Sequence, residues 1–227
     1  YTHTPSNPSV YQICPLLWRL ATTMGSLDAQ NEAFQSFFGR AARYAREANK
    51  QQEILMRPFL ECCAAYREGL SNMGMAAKMG VADFDKNYVP VKAFFHEDED
   101  GRSTWTMVCK HSNAPVVSMK WLLNGLNFFL TYLEHLWEGH RDAPGIAYRQ
   151  TLSRHHNWWQ STGFKVVLST LPSRETLLKQ SSLCVNCPEH EVSSVLDRDT
   201  KDMLSVLPEI VRSAQSQVEA LHGPQTG

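Results

Sequence analysis

Apolar residues recur every three or four positions through most of the chain, a spacing that is typical of amphipathic helices. This pattern predicts helices over 10–24, 27–50, 54–73, 75–95, 116–137, 146–171, 174–180 and 200–221. Segment 103–110 fits either a short helix or a strand. No segment alternates apolar and polar residues for long, so a β-sheet is not expected. The pattern therefore predicts an all-α protein.

Turn-forming residues mark several ends of these helices. Asp28 is suited to cap helix 27–50, and Gly74 ends helix 54–73. The glycines between 139 and 145 predict a break before the next helix, and an irregular stretch is expected before residue 200. Pro90 and Pro208 lie inside predicted helices and should kink them.

Segment 116–137 is apolar on nearly all sides, so other helices must enclose it. Polar residues interrupt it too often for a membrane span; they are Lys120, Asn124, Asn127, Glu134 and His135. Two interpretations remain open. The helix could be the middle layer of a helical stack, which composition alone favours, or one face could line a cavity for an acyl chain.

Size and charge narrow the class of protein further. A chain of 227 residues can bury one sizeable core, which indicates a single main domain. A net charge of −1 offers no strong field for nucleic acid, so no nucleic-acid partner is expected. The six cysteines follow no disulfide spacing, which favours reduced thiols and a cytoplasmic location.

The chain shows no sign of catalysis, and no cofactor or metal is expected. No glycine-rich phosphate loop and no nucleophile motif is visible. Cys184, Cys187 and His190 lack a second ligand pair, so loop thiols are the favoured interpretation. A second polar group on the long helix is expected to fan around it rather than converge on a metal; it comprises Glu134, His135, Glu138 and His140.

Four short segments stand in an informative order along the chain. They are Ala82-Asp83-Phe84-Asp85-Lys86-Asn87, Trp121-Leu122-Leu123-Asn124-Gly125-Leu126, Ala147-Tyr148 followed by Leu152 and His155-His156-Asn157-Trp158, and Thr170-Leu171-Pro172-Ser173-Arg174-Glu175. The first three resemble the ADxxxN, WLKRGL and AY…L…YHGW segments of the glycolipid transfer protein family. The fourth is similar to the branch of that family that binds ceramide phosphate. Each segment alone is weak evidence for the family, but the order and separation of the four make the resemblance specific from about residue 57 onward.

The resemblance implies a two-layer all-α sandwich and a non-enzymatic function. Residues 51–227 would form the family's domain, with 1–50 as an arm and helical extension packed on it. The protein would transfer or sense a sphingolipid, most simply a glycosphingolipid such as a hexosylceramide, and would touch membranes transiently from the periphery. The implied headgroup residues are Asp83, Asn87, Trp121 and His156, and the expected pocket-lining residues are Val117, Leu126, Phe129, Tyr148 and Phe84.

The implied headgroup residues have suitable chemistry for this role. Asp83 and Asn87 are one helical turn apart, where a carboxylate and an amide can bind neighbouring hydroxyls. The indole of Trp121 suits the apolar face of a sugar, and His156 can donate to the ceramide carbonyl. Without the resemblance, Asp83 and Asn87 would be interpreted as solvated surface residues and the two rings as core residues.

The sequence departs from the family pattern at one basic position. Pro90 stands where the family has a basic headgroup residue, and Lys86 or Lys92 could substitute for it. The branch that binds phosphate has arginines at the positions of Trp121 and Val117, so a sugar is favoured. The alternatives are a carrier of ceramide-1-phosphate or phospholipid, with phosphate donors among Lys86, Lys92, Lys120 and Arg149, or a helical interaction module without lipid.

Overall fold

The computed structural model describes residues 34–50, 53–155 and 168–223. Within these ranges the protein has eight α-helices and one two-stranded ladder, so the all-α prediction is confirmed. The predicted helix 10–24 and the predicted cap Asp28 lie outside the described residues. None of the described helices is both long and apolar enough to cross a membrane.

The helices follow one another with short connections. They are α1 (Phe37–Ala48), α2 (Met56–Asn72), α3 (Met75–Glu97), α4 (Trp105–Lys110), α5 (Val116–Trp137), α6 (Ala143–Gln150), α7 (Arg174–Leu178) and α8 (Val192–His222). Short 3-10 turns form at Ser153–His155 and Ser181–Leu183. Strand β1 (Gln35–Ser36) pairs antiparallel with β2 (Cys184–Val185), a small exception to the expectation of no β-sheet.

The central element is α5, which packs against α3, α6 and α8. Its apolar side chains are buried on most of its circumference, as its composition predicted. Burying one such leucine contributes about 2 kcal/mol relative to leaving it exposed. Asn124 is buried in the same helix, and its Oδ1 accepts a hydrogen bond from Gln215 Nε2 at 3.1 Å. The buried amide of Asn124 is therefore tied to α8.

The start of α1 is fixed by a buried carboxylate from the distant helix α8. Asp199 is 4% exposed, and its Oδ2 accepts hydrogen bonds from the Ser36 amide at 2.8 Å and the Ser36 hydroxyl at 2.9 Å. The Ser36 Oγ in turn accepts from the Gly39 amide and caps α1. A Cβ at Gly39 would lie 2.5 Å from Asp199 Oδ2, so this close approach requires glycine.

Several helix boundaries differ from the predicted ones. Residues 34–36 are not helical, because Ser36 is the cap of α1 rather than part of it. Helix α6 begins at Ala143, with Pro144 in its first turn, and ends at Gln150, so the predicted helix 146–171 is wrong for residues 151–155. Helix α8 begins at Val192 because Val192, Val195 and Leu196 extend its buried face.

The described helices belong to one compact unit, which spans Gln35–Gly227. Helix α1 lies within the predicted extension 1–50, and it packs against α2 and α8. The predicted division of the chain at residue 50 stays a prediction.

We expect Asp199→Ala to lower the free energy of unfolding by about 1–3 kcal/mol, because the Ser36 amide would stay buried without its acceptor. Urea unfolding followed by circular dichroism measures this change. The control is Asp202→Ala, which removes a more exposed pair with Arg46 and should cost about 0.5 kcal/mol. Equal midpoints for the two variants would contradict the role assigned to Asp199.

Candidate functional site

Helix α3 presents the predicted acid and amide one turn apart. Asp83 is exposed and Asn87 is half-buried. The Asn87 Nδ2 donates to the backbone oxygen of Asp83 at 3.0 Å, which holds the amide along the helix. Lys86 is exposed on the same helix. The acid and the amide are therefore available on successive turns, as the sequence predicted.

The rotation of α3 about its axis is fixed by the neighbouring side chains Asp85, Phe84 and Tyr88. Asp85 accepts two hydrogen bonds from Arg67 of α2, at 2.5 and 2.6 Å. Phe84 is buried and stacks on Tyr88 with ring centroids 5.5 Å apart. Burial raises the pKa of the Tyr88 phenol, which stays protonated and donates to the Leu60 backbone oxygen at 3.3 Å. These contacts turn Phe84 inward and leave Asp83 outside.

Trp121 lies on α5, partly buried against the core. Its ring meets the His155 ring edge-on, with centroids 6.0 Å apart and planes at 68°. The His155 Nε2 accepts a hydrogen bond from Arg154 Nε at 3.0 Å. His156, the histidine that the motif selected, lies outside the described residues. The motif did not identify His155 as a neighbour of Trp121. That contact depends on the 3-10 turn at Ser153–His155, which follows α6.

The predicted pocket-lining residues fall into two groups. Phe84, Leu126, Phe129 and Tyr148 are all buried in the hydrophobic core. Val117 is 70% exposed and precedes Trp121 by one turn of α5. Four of the five predicted lining residues thus belong to the packed core, and the fifth is exposed on α5. Their role as an acyl-chain pocket stays a prediction.

Most of the cations considered for a phosphate headgroup have partners within the protein. The Lys120 Nζ donates to the Gly223 backbone oxygen at 2.6 Å, and Arg149 pairs with Asp142 at 3.1 Å. The Lys92 ammonium lies 5.7 Å from the centroid of the Tyr88 ring. A phosphate at these three residues would have to compete with protein groups.

Three of the four acidic and histidine residues at the end of α5 converge, so the prediction that they fan apart is wrong for His135, Glu138 and His140. One donor atom each from His135, Glu138 and His140 lies within 4.8 Å of the others. The reason is Gly139, whose φ of +88° turns the chain back after the helix. The His140 amide then donates to the His135 backbone oxygen at 3.0 Å. These three residues have the ligand chemistry to hold a metal.

Cys184 and Cys187 form no disulfide in the part of the chain that the structure describes. Burial is the main cause that raises the pKa of Cys184 to about 12, so the thiol is protonated at neutral pH. In the part of the chain that the structure describes, these cysteines and His190 do not form a metal-binding group. Cys184 lies in strand β2, so the interpretation of both cysteines as loop thiols is wrong for Cys184 and agrees with the structure for Cys187.

Comparison with known proteins gives the class of protein to which this arrangement belongs. The model of the glycolipid transfer protein (GLTP) family matches residues 54–183, more than half of the chain. The chain therefore belongs to the glycolipid transfer protein family. It is also similar to Glycolipid transfer protein 1 of Arabidopsis thaliana, at 25% identity over 142 residues that cover 56% of this chain and 70% of the relative.

Solved structures share the fold at lower identity. The GLTP-fold structure of FAPP2, described as selecting simple glycosphingolipids, superposes with a TM-score of 0.66 at 21% identity, over 78% of this chain and 90% of its own. Human ceramide-1-phosphate transfer protein, solved in complex with 12:0 ceramide-1-phosphate, gives 0.65 at 13% identity, over 83% and 99%. These similarities confirm the predicted all-α sandwich of the glycolipid transfer protein type.

We expect the two acids Asp83 and Asp85 to differ in what they do for stability. Asp85→Asn should lower the free energy of unfolding by about 0.5–1 kcal/mol, because it weakens a partly exposed two-bond ion pair with Arg67. Asp83→Asn should change it by less than about 0.5 kcal/mol, because Asp83 is a surface residue. Urea unfolding of both variants measures the contrast, and an equal loss would contradict it.

Proposed function

We propose that the protein is a non-enzymatic carrier or sensor that moves one sphingolipid at a time between membranes, with a sugar headgroup as the preferred ligand. The observation that carries this proposal is that two helices in contact with each other carry the predicted headgroup residues, in a chain that belongs to this family. Helix α3 presents Asp83 and Asn87 on successive turns, and α5, which packs against α3, presents Trp121.

The physical problem for such a carrier is the hydrocarbon of the lipid. Each methylene exposed to water costs about 0.8 kcal/mol, so a two-chain lipid leaves a bilayer very slowly without help. A protein interior and a bilayer both keep the tails dry, so the tails contribute little to the choice of lipid. The choice must come from contacts with the headgroup.

Each headgroup residue has a distinct role in this proposal. The Asp83 carboxylate accepts hydrogen bonds from sugar hydroxyls and from the ceramide amide. Asn87 uses one amide N–H on its own helix and offers its second N–H and its oxygen to the sugar. Trp121, which is in T-shaped contact with the His155 ring, stacks on the sugar. His156 donates to the ceramide carbonyl.

The preference for sugar follows from the cations around this site. Pro90 is exposed and supplies neither a donor nor a charge where the family has a basic residue. Lys120 and Arg149 are bonded to protein groups. Ceramide-1-phosphate is the second candidate, and one observation favours it: the Arg154 guanidinium lies against His155, which contacts Trp121.

The setting of this function is part of the same proposal. The exposed Val117, one turn before Trp121, would touch the membrane surface during transient peripheral contact. The net charge of −1 gives no basis for nucleic-acid binding. We place the activity in the cytoplasm, where the thiols that are unpaired in the described part of the chain would stay reduced.

We expect Trp121→Ala to reduce transfer of a fluorescent hexosylceramide between vesicles at least about tenfold, which corresponds to about 1.4 kcal/mol of lost headgroup binding. Trp121→Phe should retain part of the rate, since a smaller ring still stacks. Trp137→Phe is the matched control, because Trp137 bonds to Asp197 at the other end of α5. Transfer by Trp121→Ala at the wild-type rate would refute the role of Trp121.

The two acids of α3 give a second, internal control for the same assay. Asp83→Asn should reduce transfer strongly, since an amide cannot replace the ionised acceptor. Asp85→Asn removes the same charge two residues away, and Phe84 and Tyr88 still hold the rotation of α3, so transfer should stay nearly unchanged below its unfolding midpoint. If both variants transfer alike, the headgroup site is not at Asp83.

Competition between headgroups tests the sugar preference. With equal hexosylceramide and ceramide-1-phosphate in the donor vesicles, we expect the sugar lipid to move faster, and Arg154→Ala to leave that rate unchanged. Faster movement of ceramide-1-phosphate that Arg154→Ala abolishes would establish the second candidate instead. Native mass spectrometry of protein purified from cells checks for a bound lipid, and repeated absence of lipid together with no transfer would favour an interaction module.

A further inference from the structure

The end of α5 brings two imidazoles and a carboxylate to one point. The Glu138 Oε2 lies 2.9 Å from His135 Nδ1 and 3.3 Å from His140 Nε2. The two imidazole rings have centroids 5.2 Å apart and planes at 75°, so their edges converge on the carboxylate rather than stacking on each other. The proposed lipid site uses none of these residues.

The spacing of these donor atoms matches the size of a metal coordination shell. In a tetrahedral site with metal–ligand bonds of about 2.1 Å, the ligand atoms lie about 3.4 Å from one another. The two distances to Glu138 Oε2 are close to this edge length, and all three donor atoms lie within 4.8 Å of each other. An ion could be bound with small side-chain movements and no change of the backbone.

A neighbouring amide orients the first imidazole. The His135 Nε2 lies 2.9 Å from Gln150 Oε1 of α6. An amide oxygen only accepts, so Nε2 carries a proton and donates it, and Nδ1 is the edge that faces Glu138. Protein metal sites commonly fix a ligating histidine in this way, through a hydrogen bond from the nitrogen that does not bind the metal.

The local charge and exposure also suit a cation. Glu134 and Glu138 are both acidic, and the carbonyl end of α5 adds partial negative charge. The side chains of Glu138 and His140 are each 52% exposed, so an ion can reach them from solvent. The backbone at Gly139 holds His140 in place before any ion arrives, through the bond from the His140 amide to His135.

We propose that His135, Glu138 and His140 bind one divalent transition-metal ion of the zinc class. Two imidazole nitrogens and one carboxylate suit Zn²⁺, Co²⁺ or Ni²⁺, whereas Ca²⁺ and Mg²⁺ prefer oxygen ligands alone. Three protein ligands leave a fourth position open to water or to an external ligand. Glu138 also borders a shallow surface cavity of about 390 Å³, which offers space beside that position.

This metal site is independent of the proposed lipid site. Trp121 and His135 lie on the same helix, separated by about 21 Å along its axis. Loss of metal binding would therefore leave the lipid proposal intact, and the reverse also holds.

The test is isothermal titration of the full, tag-free chain with Zn²⁺ and, separately, with Co²⁺. We expect one ion per chain, a visible absorption of bound Co²⁺ typical of tetrahedral nitrogen and oxygen ligands, and a rise in Tm with added metal. His135→Ala, Glu138→Gln and His140→Ala should each weaken binding at least tenfold. Glu138 and His140 are exposed, so their variants should keep the wild-type unfolding midpoint without metal.

Two controls distinguish this site from other thiols and histidines. His96 and Glu99 form a similar histidine–carboxylate pair with an Nδ1–Oε1 distance of 2.7 Å, yet in the described chain no second imidazole joins them to make a ligand group. His96→Ala should therefore bind metal as the wild type does, and so should the double variant Cys184→Ser with Cys187→Ser. Absence of binding, unchanged binding by the three ligand variants, or loss of binding in either control would overturn the proposal.

Discussion

The structure depends on the enclosure of one helix. Helix α5 is apolar around most of its circumference, and it can be stable in water only if other helices cover it. Helices α3, α6 and α8 do so, and their positions follow from the need to cover α5. The same helix carries the indole of the proposed headgroup site near one end and the histidine–glutamate cluster at the other. Burial of α5 therefore fixes the positions of both the indole and the histidine–glutamate cluster.

Two carboxylates of α3 show how a helix can divide structural and binding work between neighbouring positions. Asp85 accepts hydrogen bonds from two of the three nitrogens of the Arg67 guanidinium and fixes the helix against α2. Asp83, two residues earlier, is about 160° away around the helix and stays exposed, without such a partner among the described residues. A group that pairs inside the protein is poorly available to a ligand, so the exposed acid is the one suited to bind a headgroup. Asp85 shares with Phe84 and Tyr88 the role of holding α3 in the orientation that exposes Asp83.

The sequence predicted what local patterns encode and missed what distant contacts decide. The bounds of α5 follow from its apolar run and Pro115, and they agree with the structure. The hydrogen bonds between Ser36 and Asp199 join residues 163 positions apart, so no local pattern could reveal them. The start of α8 at Val192 could have been predicted from the sequence, since Val192 and Leu196 continue the apolar spacing of the helix. The order of motifs supplied the candidate site, but not the contact of Trp121 with His155.

The short segment from Gln150 to His155 touches α5 at both of its ends. Gln150 bonds to His135, and His155 packs against Trp121, so a few residues span a fixed length of one rigid helix. Such a span has little conformational freedom left to lose when a ligand arrives, because folding has already ordered it. These two contacts anchor residues 150–155 to α5, so the segment is confined to a narrow range of positions along that helix.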